Sequence, residues 1–254
     1  MTLPPLRRNL QDMALALVFF TRLPLPRFNF GARTLAQAIW AAPLAGLAVA
    51  LIAGVVFAVA GMAGLSASVA AALALAASML ATGCLHEDGL SDVADGFGGG
   101  KTRERKLDIM RDSRIGAYGA AALVMSVLMR WSALTDLGGT SAVFAGLIAA
   151  HVGSRAMMPA LMHLTPPARS DGLAVGAGSV SQQTAMAAAA IGAVGLLALG
   201  LSGALVAAIL LALLFSLFRQ LCLNQIGGHT GDTAGALQQA AEIAILVIAS
   251  ALLS

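Results

Sequence analysis

The chain has 254 residues, 59% of them hydrophobic and 11% charged, with a mean hydropathy of +0.86 and a formal net charge of +3. That composition excludes an ordinary soluble globular domain; residues 1–254 read as one all-α integral membrane domain, a polytopic helical bundle. The small positive charge calls for no nucleic-acid partner, because a basic rim facing anionic lipid headgroups accounts for it.

The first apolar run, Met13 to Phe20, is too short for the roughly 30 Å of hydrocarbon that about 20 apolar residues cross. Arg7, Arg8, Arg22 and Arg27 flank it and Pro24 and Pro26 close it, which predicts an interfacial amphipathic or re-entrant entry segment. A secretory signal would need a small-x-small cleavage site, and none follows. Spans are expected near 36–60, 66–85, 117–135, 141–163, 184–200, 203–222 and 236–254, about seven in all. The Ala-rich stretches 66–82 and 184–215 read as close-packing helices. Connections 61–65, 136–140 and 201–202 carry no Lys or Arg, whereas the N-terminal arm has five and residues 86–115 have six. Positively charged connections stay on the cytoplasmic side. The N-terminus and the 86–115, 164–183 and 223–235 segments are therefore expected to face the cytoplasm in a multi-pass cell-membrane protein.

Seven of the twelve acidic residues fall between Glu87 and Asp112. Offsets of four and three put Asp88, Asp92 and Asp95 along one side of a helix, where hard oxygen ligands suit Mg²⁺ or Mn²⁺. Gly89 and Gly96 follow two of them. Glycine weakens a helix interior, so the pattern suggests a backbone that a bulky group approaches closely. His86 reads either as a ligand or proton carrier or as a polar cap at the membrane exit. Lys101, Arg103, Arg105 and Lys106 form a basic run of the kind that meets lipid headgroups. Arg111-Asp112-Ser113-Arg114-Ile115-Gly116 is different: two guanidinium groups around a carboxylate supply planar donors for phosphate oxygens, and Gly116 and Gly119 open a helix N-terminus that favours anions. Acidic metal ligands beside arginine clamps are the minimal equipment for phosphoryl transfer.

Further along, Arg130 is placed to snorkel toward the outer face, while Arg155 and Arg219 lie in the inner halves of their spans. Those two either bind phosphate or pair with a carboxylate such as Glu242. The 164–183 loop, with Pro166, Pro167, Ser170, Gly172, Gly176 and Gly178, reads as a mobile lid or a plain connector. A second polar segment, Gly227-Gly228-His229-Thr230-Gly231-Asp232-Thr233, shares the cytoplasmic face with the acidic motif. Cys84 and Cys222 are expected to remain unpaired on the reducing side, and Cys84-x-His86 lacks the partners of a zinc site.

His86-Glu87-Asp88-Gly89-Leu90-Ser91-Asp92-Val93-Ala94-Asp95-Gly96, Ile109 to Gly116 and Gly227-Gly228-x-Thr230-Gly231-Asp232-Thr233-x-Gly235 together resemble the adenosylcobinamide-GDP ribazoletransferases, also called cobalamin synthases. Phe20-Thr21-Arg22-Leu23-Pro24-x-Pro26 and Pro43-Leu44-x-Gly46 fit as well, so the resemblance covers residues 16 to 250. Glu87 departs from it, standing where an apolar residue is common. The resemblance implies a Mg²⁺-dependent enzyme that joins adenosylcobinamide-GDP to α-ribazole or its 5′-phosphate and releases GMP.

In this scheme Asp88, Asp92 and Asp95 hold the metal, Arg111 and Arg114 the donor pyrophosphate, and His229 and Asp232 the acceptor or the rest of the metal shell. His86, Asp95 and Asp232 are the candidates for proton transfer. Asp112, Arg155 and Thr230 complete the expected substrate contacts. Membrane lipid is the expected surroundings, and a homo-oligomer or contacts with other corrinoid-assembly enzymes remain compatible partners. A CDP-alcohol phosphotransferase is the nearer rival, but it expects Ala-Arg where Ser91-Asp92 stand. A cation transporter or channel is the more distant one.

Overall fold

The computed structural model describes residues 5–26, 28, 30–169 and 178–254. Among them the elements are α1 (Pro5–Phe20), α2 (Leu35–Ala38) with a 3₁₀ turn (Ile39–Ala41), α3 (Ala42–Met62), α4 (Ala67–Thr82), α5 (Leu85–Gly99), α6 (Arg103–Ile109), α7 (Ala117–Leu137), α8 (Thr140–Leu164), α9 (Gln182–Leu196) with a 3₁₀ turn (Leu197–Leu199), α10 (Gly200–Ile226) and α11 (Gly231–Leu253). The all-α expectation holds.

Among the described residues five stretches are long and apolar enough to cross a membrane: Leu35–Met62, Ala117–Leu137, Thr140–Leu164, Gln182–Ile226 and Gly231–Leu253. The fourth has 45 residues, which as one straight helix would reach about 67 Å, twice the hydrocarbon thickness. It is instead a hairpin. Gly200, at φ 74 and ψ 171, turns the chain between α9 and α10. In α9, Gly192 lies against Ala156 and Gly195 against Val152, so α9 runs antiparallel to α8. In α8, Gly146 meets Ala249 and Gly153 meets Ile245, so α8 runs antiparallel to α11. Gly203, at the start of α10, meets Leu252 at the end of α11, which sets α10 antiparallel to α11 and hence to α9. The 16 residues of α4 rise about 24 Å before an 88° bend into α5. Gly83 and Cys84 make that bend, both with positive φ. Counting α3, α4 and α7 to α11, seven helices among the described residues run through the bundle, consistent with the expectation of about seven spans.

The entry helix is longer than its apolar run. It starts at Pro5 and ends at Phe20, where Thr21 Oγ1 donates back to the Leu17 carbonyl at 2.6 Å and the two prolines prevent continuation. Asp12, 1% exposed, pins it through Arg33 Nε and Nη2, both at 2.6 Å, and Trp40 Nε1 at 2.9 Å. Ala16 and Phe20 then pack with Ala36, Ile39 and Ala41.

The central core is dominated by alanine and leucine, among them Ala50, Ala53, Ala71, Ala74, Ala149 and Ala150. Small side chains let these helices approach closely, as packing between membrane helices requires. At the crossing of α3 and α8, a Cβ on Gly46 would lie 2.2 Å from the His151 carbonyl oxygen.

Inside this core sits an ion cluster. Arg130, 1% exposed, donates to Glu87 Oε1 at 3.0 Å and Glu242 Oε1 at 3.1 Å. Gln238 Nε2 donates to Glu242 Oε2 at 2.6 Å. His151 Nδ1 lies 3.1 Å from that oxygen and 2.9 Å from Arg155 Nη1. Two guanidinium groups thus offset two carboxylates where an unpaired charge would be costly. Arg130 therefore does not snorkel outward as its position along the span suggested; carboxylates from α5 and α11 hold it inside. Arg155 takes the pairing alternative. Glu87, the departure from the resembled pattern, supplies one of the two counter-charges through Oε1. Arg219 settles differently, its guanidinium donating to the Leu164 carbonyl at 3.1 and 3.2 Å at the end of α8.

Candidate active site

The α5 segment is helical, so Asp88, Asp92 and Asp95 share a side of it as their spacing required. Their environments nevertheless separate them. Asp95 Oδ2 accepts the Gly116 amide at 2.7 Å and Oδ1 accepts the Gly119 amide at 2.9 Å. The anion favoured by the start of α7 is therefore a carboxylate of the same chain, and a role for Asp95 as metal ligand or proton carrier has to compete with these two amides. A Cβ on Gly119 would sit 2.3 Å from Asp95 Oδ2 and 2.4 Å from Ser91 Oγ, which is why both positions opposite Asp95 are glycine. Gly119→Ala should destabilise the protein by about 1–3 kcal/mol, the usual cost of overpacking; an unchanged thermal midpoint in detergent would count against this contact.

The glycines of the acidic motif admit the protein's own backbone. A Cβ on Gly89 would be 2.8 Å from the Asp232 carbonyl, and one on Gly235 would be 3.4 Å from the His86 Cα. Helix α5 therefore crosses the first turn of α11 at close range, bringing together two segments more than 130 residues apart in the chain. Gly96 performs the same service for α6, where Met110 packs against it.

This crossing crowds carboxylates. Asp92 is pushed up to about 7, first by burial and then by Asp88, Asp232 and Asp95. Asp232 is answered directly by Arg169, whose Nη2 lies 2.5 Å from its Oδ2, and that oxygen also accepts from Thr230 Oγ1 at 3.1 Å. Among the described residues no three His, Cys, Asp or Glu side chains stand close enough to hold a metal ion unaided. A preformed triad of Asp88, Asp92 and Asp95 is thus not what α5 presents, because Asp95 is turned onto the start of α7. The donor set still fits Mg²⁺. That ion keeps several waters and is commonly held by one or two carboxylates together with substrate phosphate oxygens.

A cleft of about 760 Å³ opens beside Asp88 and Asp92. Arg111, Asp112 and Arg114 line its rim, and Met79, Leu123, Val127 and Leu128 of α4 and α7 form an apolar wall. Arg114 is already engaged in a fork with Asp112, with Nη2 to Oδ2 at 2.7 Å and Nε to Oδ1 at 3.0 Å. Those hydrogen bonds hold the Asp112 carboxyl down at about 2. The pair is solvent-exposed, so exchanging Asp112 for a phosphate costs Arg114 little.

The remaining candidates are distributed around this centre. His86 is 2% exposed and its ring stacks on Phe20 at 5.9 Å. Thr230 caps α11, accepting the Thr233 amide at 3.2 Å. His229 is buried, with Nδ1 3.0 Å from Thr165 Oγ1 and 3.1 Å from the Thr165 carbonyl. Burial lowers its pKa. Its amide and carbonyl bond Pro166 and Ala168 at 2.9 and 2.8 Å, so His229 fastens residues 165–168 to the glycine-rich turn. Arg155 stays in the buried ion cluster. Arg103 donates to the carbonyls of Ile226 and Ala168, both at 2.7 Å, and Lys106 bonds Gln225. Two of the four cations expected to face lipid headgroups therefore clamp the turn instead. Residues 170–177 lie outside the described residues, and with them the middle of the 164–183 segment read as a lid or connector, including Ser170, Gly172 and Gly176. Cys84 and Cys222 are unpaired, as expected.

Residues 12–250 match the family described as cobalamin-5-phosphate synthase. The chain is 65% identical to the adenosylcobinamide-GDP ribazoletransferase of Mesorhizobium japonicum, over 100% of this chain and 98% of that protein. It is 48% identical to the protein of that name from Bradyrhizobium diazoefficiens, over 97% and 95% of the two chains, and 44% identical to that from Azorhizobium caulinodans, over 94% and 95%. The chain belongs to the cobalamin-5-phosphate synthase family. No solved structure matches it. In this cobalamin-5-phosphate synthase family member the three strings that carry the resemblance are drawn to one end of the bundle. Arg169 and Thr165 also belong to the site, through Asp232 and His229, in a loop whose sequence is dominated by prolines and glycines. The lone Arg169 was the available signal.

Proposed function

We propose that the chain transfers the phosphocobinamide group of adenosylcobinamide-GDP to the ribose hydroxyl of α-ribazole or its 5′-phosphate, releasing GMP and forming adenosylcobalamin or its phosphate. The observation that carries the reading is the convergence of Asp88 and Asp92 with Arg111 and Arg114 on one cleft, in a chain whose relatives bear the ribazoletransferase name. Whole-chain identity to those relatives leaves no support for a CDP-alcohol phosphotransferase or a transporter.

The acceptor hydroxyl attacks the phosphorus that carries the cobinamide. A new P–O bond forms, the bridging P–O bond breaks, and GMP leaves with the bridging oxygen. Asp88 and Asp92 would hold Mg²⁺ with the donor's phosphate oxygens. Bound there, the ion would neutralise the pyrophosphate and stabilise the departing phosphate charge. Arg111 and Arg114 orient the pyrophosphate from the rim. The apolar wall of Leu123 and Val127 receives the bulky corrinoid edge and excludes water from the reacting phosphorus. Asp232, steadied by Arg169 and Thr230, is the carboxylate placed to take the hydroxyl proton. Purified protein given Mg²⁺, adenosylcobinamide-GDP and α-ribazole should release GMP in step with cobalamin formation. GMP release indifferent to α-ribazole would leave only a hydrolase.

The bias of Lys and Arg toward the site end supports a cell-membrane protein with that end in the cytoplasm. With Cys84 replaced by Ser, a cysteine at Lys101 should label only from the cytoplasm and one at Thr140 only from outside. Labelling of both from one side would rule out this arrangement.

A further inference from the structure

A second cavity, of about 180 Å³, shares Asp88 in its lining with the donor cleft. Phe19 and Phe20 of α1 and Met158 and Met162 of α8 line it, and Ala234 and Gly235 of α11 contribute almost no side chain. The result is a slot between aromatic rings and thioethers, surfaces that favour a flat aromatic guest. Asp88 and Asp232 also border it. His86 borders it too, and among the described residues neither of its buried ring nitrogens has a hydrogen-bond partner. A buried donor left unmade is costly and asks for an explanation. Neither the ion cluster nor the Asp95 cap uses it, and the stacked Phe20 offers no acceptor.

We infer that this slot binds the acceptor through a planar, bicyclic, N-heteroaromatic base, with an imidazole N–H of His86 donating to the base's unsubstituted ring nitrogen. The inference rests on the proposed reaction and deepens it, because ribazole carries a base of this class. The volume admits a bicyclic ring and excludes a tetrapyrrole. With the base between Phe20 and Met162, the attached ribose is directed past Gly231 toward Asp232 and Asp88. Since Asp88 borders both cavities, the hydroxyl emerges where the donor phosphates are held. His86 is then a specificity residue: it reads the base and takes no part in the proton transfer.

The test uses two isosteres, 1-methylbenzimidazole and 1-methylindole, which differ by one acceptor nitrogen. Each is titrated calorimetrically into the full-length protein in detergent. The benzimidazole should bind about tenfold more tightly, the worth of one hydrogen bond to a buried donor. His86→Leu should abolish the difference and His86→Gln, which retains an N–H, should restore part of it. Comparison between variants cancels uptake by the detergent. Ala234→Met, which fills the slot without touching His86, should weaken both compounds equally. Equal affinities in the unsubstituted protein, no binding of either, or an undiminished preference in His86→Leu would overturn the assignment. Binding is read without turnover. A protein that discriminates the two bases but releases no GMP therefore keeps the slot and loses the proposed reaction.

Discussion

Asp92→Asn lowers turnover by about a hundredfold or more, the scale on which a single preorganised electrostatic partner of a transition state acts, while leaving the protein as stable as before. The two halves of this expectation have one cause. Asp92 stands among Asp88, Asp232 and Asp95, and burial and their repulsion push it up to about 7. An amide of nearly the same shape removes the repulsion and the charge together. Relief of repulsion keeps the thermal midpoint level or raises it, as when a strained functional residue is replaced. Loss of the charge removes a hard anionic ligand. Turnover and thermal unfolding should be measured across a Mg²⁺ titration. Near-normal turnover at limiting Mg²⁺ would dismiss Asp92 as a ligand.

Arg130→Met has the opposite signature, a loss of stability out of proportion to any direct role in chemistry. It leaves Glu87 Oε1 and Glu242 Oε1 without the guanidinium that lies 3.0 and 3.1 Å away. Breaking a buried pair from one side costs about 3–5 kcal/mol, because the stranded charge remains. The double variant Arg130→Met with Glu87→Gln should recover part of that loss, since Arg155 and His151 still neighbour Glu242. The measurement is a denaturation midpoint of the purified protein for the single and double variants. A double variant no more stable than the single would mean that Arg130 acts through packing alone.

The buried cluster also explains how a membrane-spanning scaffold positions the site. Glu87 is the neighbour of Asp88 on α5, and Glu242 lies on α11 with Asp232 at its start. Their common tie to Arg130 of α7 fixes the rotation of the two helices that carry Asp88 and Asp232. Hydrophobic packing between alanine-rich helices resists separation and only weakly resists rotation. A directional ion pair in low dielectric resists both.

Where sequence was legible, a short-range periodicity or a composition carried the information. The helices of the bundle followed from apolar length, and the helix through Asp88, Asp92 and Asp95 followed from their spacing, because each depends only on neighbours along the chain. The site end of the bundle was legible too, since it holds both polar segments. Pairing was not. Gly116 and Gly119 announced an anion at the start of α7, and the sequence had no means of saying that Asp95 rather than a phosphate supplies it. Arg130 sits far enough along its span to snorkel, and only the crossing of α5, α7 and α11 brings two carboxylates within reach. His86 and His229 both read in the sequence as polar residues of the cytoplasmic segments. The fold buries both, gives His229 the hydroxyl and carbonyl of Thr165, and among the described residues leaves the His86 ring with none. The sequence by itself determined the solvent of this protein, its helices and the chemical inventory at one end, because hydropathy and helical period are local properties. Which charge meets which was decided by the tertiary structure alone, since partners 43 and 112 residues apart in the chain are chosen by helix rotation and crossing, and those emerge only when the whole bundle packs.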